Sequence, residues 1–207
     1  MSQYPHEVSL GFAPQTFPAG VHICQIFSDD EERLDSLLAF LCSGLAAGER
    51  TACFTEKLDD SVLAEHLAAQ GLSLGEAREK GHLTHAGARD VYFQDNRFDP
   101  DRMLDMLKQL HEDSVAGGYP AARVIGEMNS DVEHIDGGSR LMEYESRVSL
   151  LLREYPVTAV CQYNASTFDG ATIMRVLKVH PLMVIRGAVV HNPYYVPPEE
   201  YLAQLQD

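Results

Sequence analysis

"HICQIFSDDEERLDSLLAFL", residues 22–41, decides the fold class. A short apolar run ends in a polar turn, and then Leu34, Leu37, Leu38, Leu41 and Leu45 recur at helical spacing. Gly48 stops that helix as a C′ residue. Strand, tight turn and helix make the repeating unit of an α/β sheet. In nucleotide-binding sheets this turn carries a phosphate loop: glycines for backbone N–H groups, a Lys for the outer phosphates, and a Ser or Thr for magnesium. Here the turn reads Ser28, Asp29, Asp30, Glu31, Glu32, and the chain has no Gly-Lys pair. Ser28 is expected to cap the helix and Glu31 to close a capping box. Asp29 and Asp30 fall in the first turn, where a carboxylate stabilises a helix by roughly 0.3–1 kcal/mol. The chain's own acids thus take the place of a phosphate.

Outward from this junction, strands and helices alternate. "RTACFTEK" (50–57) is a second strand, followed by a helix from Asp59 or Asp60 to Gly71. "SLGEAREKG" (73–81) is a short helix with a Ser73–Glu76 capping box. "HLTHAG" (82–87) and "DVYF" (90–93) read as short edge strands. Asp99-Pro100 starts a helix that runs to Gly117. "ARVIGEMN" (122–129) is the third main strand. A helix over 139–155 carries Leu141, Tyr144, Val148, Leu151 and Tyr155 on one face and ends at Pro156. "VTAVCQYN" (157–164) is the fourth strand, and Asp169 caps the next helix. "PLMVIRGAVVHN" (181–192) is a fifth strand or a hairpin kinked at Gly187, and "PPEEYLAQLQ" a terminal helix. The pattern predicts an α/β, three-layer domain, a mainly parallel sheet with helices on both faces. Residues 1–17 are expected to be a tail or edge segment, 18–195 the domain, and 196–207 a short helix packed on it.

Composition narrows the function. The chain has 207 residues, 45% of them apolar, and a formal charge of −15. That charge opposes nucleic acid, whose binders need cations to displace counterions, and it opposes an anionic membrane surface. The N-terminus lacks a signal peptide's cationic start and apolar run, and no stretch approaches a membrane span. Cys24, Cys42, Cys53 and Cys161 show no paired spacing, which points to a reducing cytoplasm.

Residues 20–56, "ARVIGEMN", "LMEYESRV" and "VCQYNASTFDGATIMRVLKVHPLMVIRG" together resemble the MEDS domain, the methanogen/methylotroph DcmR-type sensory domain, over about residues 18–195. The marks are His-x-Cys in strand one, Gly-Glu-Met in strand three, Cys-Gln-Tyr in strand four and His-Pro before strand five. The resemblance implies a RecA/KaiC-like sheet of order 5-1-4-3-2 that has lost its phosphate loop. It also implies a sensory role in prokaryotic signalling, with simple hydrocarbon derivatives as ligands. Members are often fused to DNA-binding, kinase or anti-sigma-type outputs. The residues flanking this domain are too few for a helix-turn-helix, so the expected partner is a separate kinase, anti-sigma-type protein or transcription regulator, or a second copy of the chain. Enzymatic activity, nucleic acid, membrane and cofactors are not expected.

The candidate ligand-binding residues are His22, Cys24, Phe27, Glu127, Asn129, Cys161, Tyr163, Asn164 and Arg186. His22 and Cys24 share a strand face, and strand order makes Cys161 a neighbour of Cys24. They read as buried core, as a pocket wall, or as a haem or metal site; no metal is expected, because three ligands do not complete one. Glu127, in an apolar strand, is paired, protonated or beside a cavity. It is a buried hydrogen-bond partner, a pocket residue or a catalytic base. Open α/β sheets bind ligands beyond the carboxyl ends of their strands, so Phe27, Glu127, Asn129, Tyr163 and Asn164 are expected to line one crevice. His180 is expected to order the turn before Pro181, and Arg186 to pair with a carboxylate or meet a polar ligand group. The alternative functions are a degenerate nucleotide-binding protein and a redox sensor built on His22, Cys24 and Cys161.

Overall fold

The computed structural model describes residues 6–205. Residues 1–5 of the expected tail and 206–207 of the terminal segment lie outside the described residues.

Residues 7–18 form a small antiparallel sheet, β1 (Glu7–Ser9) with β2 (Thr16–Pro18). Then come β3 (His22–Phe27), α1 (Asp30–Ala46), β4 (Arg50–Phe54), α2 (Asp60–Ala69), α3 (Leu74–Glu79), β5 (Leu83–Ala86), α4 (Ala88–Tyr92) and α5 (Pro100–Ala116). The second half holds β6 (Ala122–Met128), α6 (Leu141–Leu151), β7 (Val157–Asn164), α7 (Gly170–Val179), β8 (Leu182–Ile185), β9 (Ala188–His191) and α8 (Pro198–Gln204). The main sheet has the order β5-β4-β6-β7-β3-β8-β9, and its pairings are parallel except β8–β9. Its five main strands keep the expected order 5-1-4-3-2, with β5 and β9 added at the two edges. No helix among the described residues is long and apolar enough to cross a membrane.

Each face of the sheet buries its own core. Ile23, Cys53, Ile125 and Val160 pack against α1, α2 and α3 through Leu37, Leu41, Leu63 and Ala77. On the other face Cys24, Val124, Met128 and Ala159 meet Met103, Leu107, Tyr144, Val148 and Val176. The β1–β2 pair is tied to the first face by Arg123, a buried guanidinium. It donates from Nε to Glu49 Oε2 at 2.6 Å and from Nη1 to the Ser9 and Phe40 carbonyls at 3.0 Å each. Gly44 on α1 makes room: a Cβ there would lie 2.5 Å from Arg123 Nε.

Several expectations shift locally. Asp29, not Ser28, caps α1, accepting from the Glu31 N–H at 2.8 Å, so Asp30 opens the first turn. "DVYF" is not a strand: residues 88–92 are α4. Its last carbonyls, on Val91 and Tyr92, accept from the Arg102 guanidinium at 2.8 and 3.0 Å, and Tyr92 fills the space over Gly126. Tertiary partners override a run too short to declare its period. The helix read over 139–155 starts at Leu141 after a 3-10 turn and ends at Leu151. Residues 181–192 are the hairpin, with Arg186 (φ 50°) and Gly187 (φ 74°) at its tip.

Candidate functional site

Two polar clusters sit on opposite faces of the sheet. The first lies where α1 begins. Arg33, in the first turns of α1, has a fully buried side chain. Its Nε donates to Asp30 Oδ1 at 2.8 Å, its Nη2 to the Lys57 carbonyl at 3.0 Å, and its Nη1 stands 3.7 Å from Glu127 Oε2. Glu127 also accepts from Thr55 Oγ1 at 2.7 Å and faces Lys57 Nζ at 3.5 Å. Beneath α1, Gln162 donates to Gln25 Oε1 at 2.8 Å and Gln25 to Ser36 Oγ at 3.0 Å. The helix start thus carries its own cation and anions in matched pairs, and the Arg33 carboxylate partner at Asp30 is held below the usual range by that hydrogen bond.

Beside this cluster, at the carboxyl ends of β6 and β7, a cleft of about 150 Å³ opens among Lys57, Glu127, Met128, Asn129, Asn164 and Thr167. Asn129 Oδ1 accepts from the Asp131 N–H and Asn164 Oδ1 from the Ser166 N–H, each at 2.9 Å, which fixes both side chains at turns. The structure therefore brings Glu127, Asn129 and Asn164 together. It does not bring the other two expected lining residues. Phe27 is buried with the Arg33 guanidinium 5.9 Å from its ring centroid. Tyr163 alternates to the opposite face and donates its hydroxyl to Glu145 Oε1. Arg186 is exposed in the hairpin tip, outside any strand, and makes no ion pair among the described residues.

The second cluster is built by four elements. β3 supplies His22, and β7 supplies Cys161 in register with Cys24. α6 supplies Glu145 and, one turn on, Ser149, which share a helix face. His180 follows α7 directly, before Pro181. Glu145 Oε2 lies 3.2 Å from His22 Nε2 and 3.5 Å from His180 Nε2. Cys161 Sγ is 3.5 Å from His22 Nε2 and 3.7 Å from Glu145 Oε2. His22 Nδ1 bonds Ser149 Oγ at 2.9 Å, and His180 Nδ1 bonds the Val176 carbonyl at 2.8 Å. The second of these contacts ties the His180 ring to the last turn of α7. Burial, with the neighbouring His180 adding to it, pushes the His22 imidazole down to about 4 against the pull of Glu145. Burial pushes the Cys24 thiol up to about 12, and burial plus Glu145 raises Cys161 well above its ordinary value.

Sequence reasoning named His22 and Cys161 here and missed Glu145. Its signal was present: Glu145 lies four residues after Leu141 and three before Val148, so it sits on the helix's buried stripe. Arg33, four residues before Leu37, carries the same signal in α1.

The family model described as the methanogen/methylotroph, DcmR sensory domain (MEDS) matches residues 21–181. The transcriptional repressor DcmR of Methylorubrum extorquens is 25% identical over 162 residues, covering 77% of this chain; the chain spans 57% of that relative's length. Among solved structures, a KaiC-like protein of Pyrococcus horikoshii superposes with a TM-score of 0.57 at 14% identity, over 86% of this chain and 79% of that one. The flagellar accessory protein FlaH of Methanocaldococcus jannaschii gives 0.55 at 11%, over 84% and 76%. At such identities these two speak for the fold.

Proposed function

The chain belongs to the MEDS sensory-domain family, and from that premise we propose that it is a small-molecule sensory module of prokaryotic signal transduction, not an enzyme, that acts through a separate output protein in the cytoplasm. The observation that carries this reading is the cleft at the strand ends beside a helix start already saturated with charge. A cleft of about 150 Å³ has room for a small molecule, and Met128, Asn129 and Asn164 line this one together with the charged Glu56, Lys57 and Glu127. That lining suits a simple hydrocarbon derivative that carries a polar group. A phosphate has no place at α1, where Asp29 caps the helix and Arg33 is engaged by Asp30 and Glu127. This favours a sensor over a degenerate nucleotide-binding protein. The output is a regulator of the class named by the transcriptional repressor relative, or a kinase or anti-sigma-type protein, with self-association as the other route.

Thermal denaturation with a panel of one- to six-carbon alcohols, amines, halides and carboxylates tests the reading. One class is expected to raise the midpoint of the wild-type chain and to lose most of that effect in Asn164→Ala. A panel without effect, together with a micromolar dissociation constant for Mg-ATP by calorimetry, would overturn the reading in favour of nucleotide binding.

A further inference from the structure

We propose that His22, Glu145, Cys161 and His180 bind one divalent transition-metal ion, zinc by their donor set, in the core of the domain. Zinc bonds of about 2.0–2.1 Å to His, 2.0–2.2 Å to carboxylate and 2.3 Å to Cys set the edges of a tetrahedron at about 3.3–3.7 Å. The four donor atoms give 3.2 Å (His22–Glu145), 3.5 Å (His180–Glu145), 3.5 Å (Cys161–His22) and 3.7 Å (Cys161–Glu145). All four lie within 4.8 Å of one another. Four edges are therefore already near those of a tetrahedral zinc site, and the other two are no longer than 4.8 Å.

Hydrogen-bond logic points the same way. A backbone carbonyl is an acceptor alone, so the His180 Nδ1 facing Val176 O carries the proton. In the neutral ring its Nε2 is then a lone pair open to a metal. That atom is fully buried, without a hydrogen-bond partner, and aimed at a carboxylate oxygen. Ser149 Oγ reaches onward to the Val179 carbonyl at 3.5 Å, which leaves it an acceptor for His22 Nδ1–H. His22 Nε2 is then a second lone pair on the same point. Two imidazole nitrogens, a carboxylate oxygen and a sulfur converge around a single weak donor, the Cys161 thiol 3.7 Å from Glu145 Oε2, and a cation taking the place of that proton meets all four. On binding, the Cys161 thiol releases its proton to solvent. The surrounding contacts are those of a metal site: each His is oriented through its other ring nitrogen, and Tyr163 donates to the remaining Glu145 oxygen. Cys161 alone of the four residues is not wholly buried. Cys24, next to Cys161 in register, is not one of the four.

This reverses the expectation of no metal, which rested on a count of three ligands; folding brings Glu145 and His180 to complete four. The site is separate from the cleft and stands or falls independently of its ligand. The test uses the full chain, stripped with a chelator and then dialysed against zinc or cobalt(II). Elemental analysis is expected to find close to one ion per chain. The cobalt form should show a sulfur-to-cobalt charge-transfer band that disappears in Cys161→Ser and survives in Cys24→Ser. Ser149→Ala should keep the band and weaken affinity roughly 10–100-fold. Clearly sub-stoichiometric metal on the folded wild-type chain overturns the proposal, as does a band that survives Cys161→Ser. The wild-type measurement decides alone where a variant does not fold.

Discussion

The two polar clusters differ in how their charges are matched. Around Arg33, a guanidinium and an ammonium face the carboxylates of Asp30 and Glu127, with the Thr55 hydroxyl and the Lys57 carbonyl beside them. Around Glu145, two imidazole nitrogens and a thiol crowd one carboxylate oxygen, and the thiol is a weak donor to it. Arg33 in the first and Glu145 in the second are buried beside apolar core, where an unmatched charge is expensive. The first sets its charges against one another within the chain, with Arg33 Nη1 held only by the longer approach to Glu127. The second is, on the proposal made above, completed by a metal ion.

The sharpest way to break that contrast is to unmatch the first cluster. Arg33→Met leaves Glu127 without its buried partner, and a loss of about 3 kcal/mol is expected, the low end for removing one member of a buried pair. For a chain of this size that lowers the calorimetric midpoint by roughly 6–12 °C. An unchanged midpoint would mean that the pair is not structural. Completing the second cluster should work in the opposite direction: zinc at about 100 times its dissociation constant adds about 2.7 kcal/mol to wild-type stability. The rise in midpoint should vanish in Cys161→Ser and on adding a chelator. Asn129→Ala touches the cleft beside the first cluster and removes a turn-capping acceptor. It should cost about 1 kcal/mol in urea denaturation while weakening the ligand found by the panel, a combination that a purely structural Asn129 would not show. Smallest of all, Arg186→Asn at the hairpin tip suits the positive φ and should change stability by no more than about 0.5 kcal/mol. Both zinc stoichiometry and ligand affinity should be unaffected; an altered affinity would restore Arg186 to the site.

The elements that sequence made legible are those whose signal is local. Asp59, Ser73, Asp99 and Asp169 each accept a backbone N–H as caps at the helix starts where they were expected. The apolar runs of β3, β4, β6 and β7 leave no other assignment. The cap of α1 slipped by one residue because Ser28 and Asp29 are both good caps and only the turn geometry chooses between them. α4 was invisible, since Arg102 and Gly126, which hold it, are distant in sequence. For the cleft, the rule of strand ends found Glu127, Asn129 and Asn164, but it could not say which side Tyr163 takes. Alternation could: Tyr163 stands two residues from Cys161 and shares its face. The Glu145 cluster was half legible, because His22 and Cys161 come from paired strands, while Glu145 and His180 enter from helices whose rotation is fixed by packing.

The position of β3 in the sheet has a consequence for synthesis. It is the first strand of the main sheet to be made, yet its neighbours β7 and β8 begin at Val157 and Leu182. At about 5–20 residues per second, the strand waits on the order of ten seconds on the ribosome with its apolar edges unpaired. Contacts this distant in sequence also slow the closing of the sheet. During that interval "HICQIF" is the segment a holding chaperone would meet, and His22 is the first-made part of a cluster that cannot assemble until residue 180 has emerged.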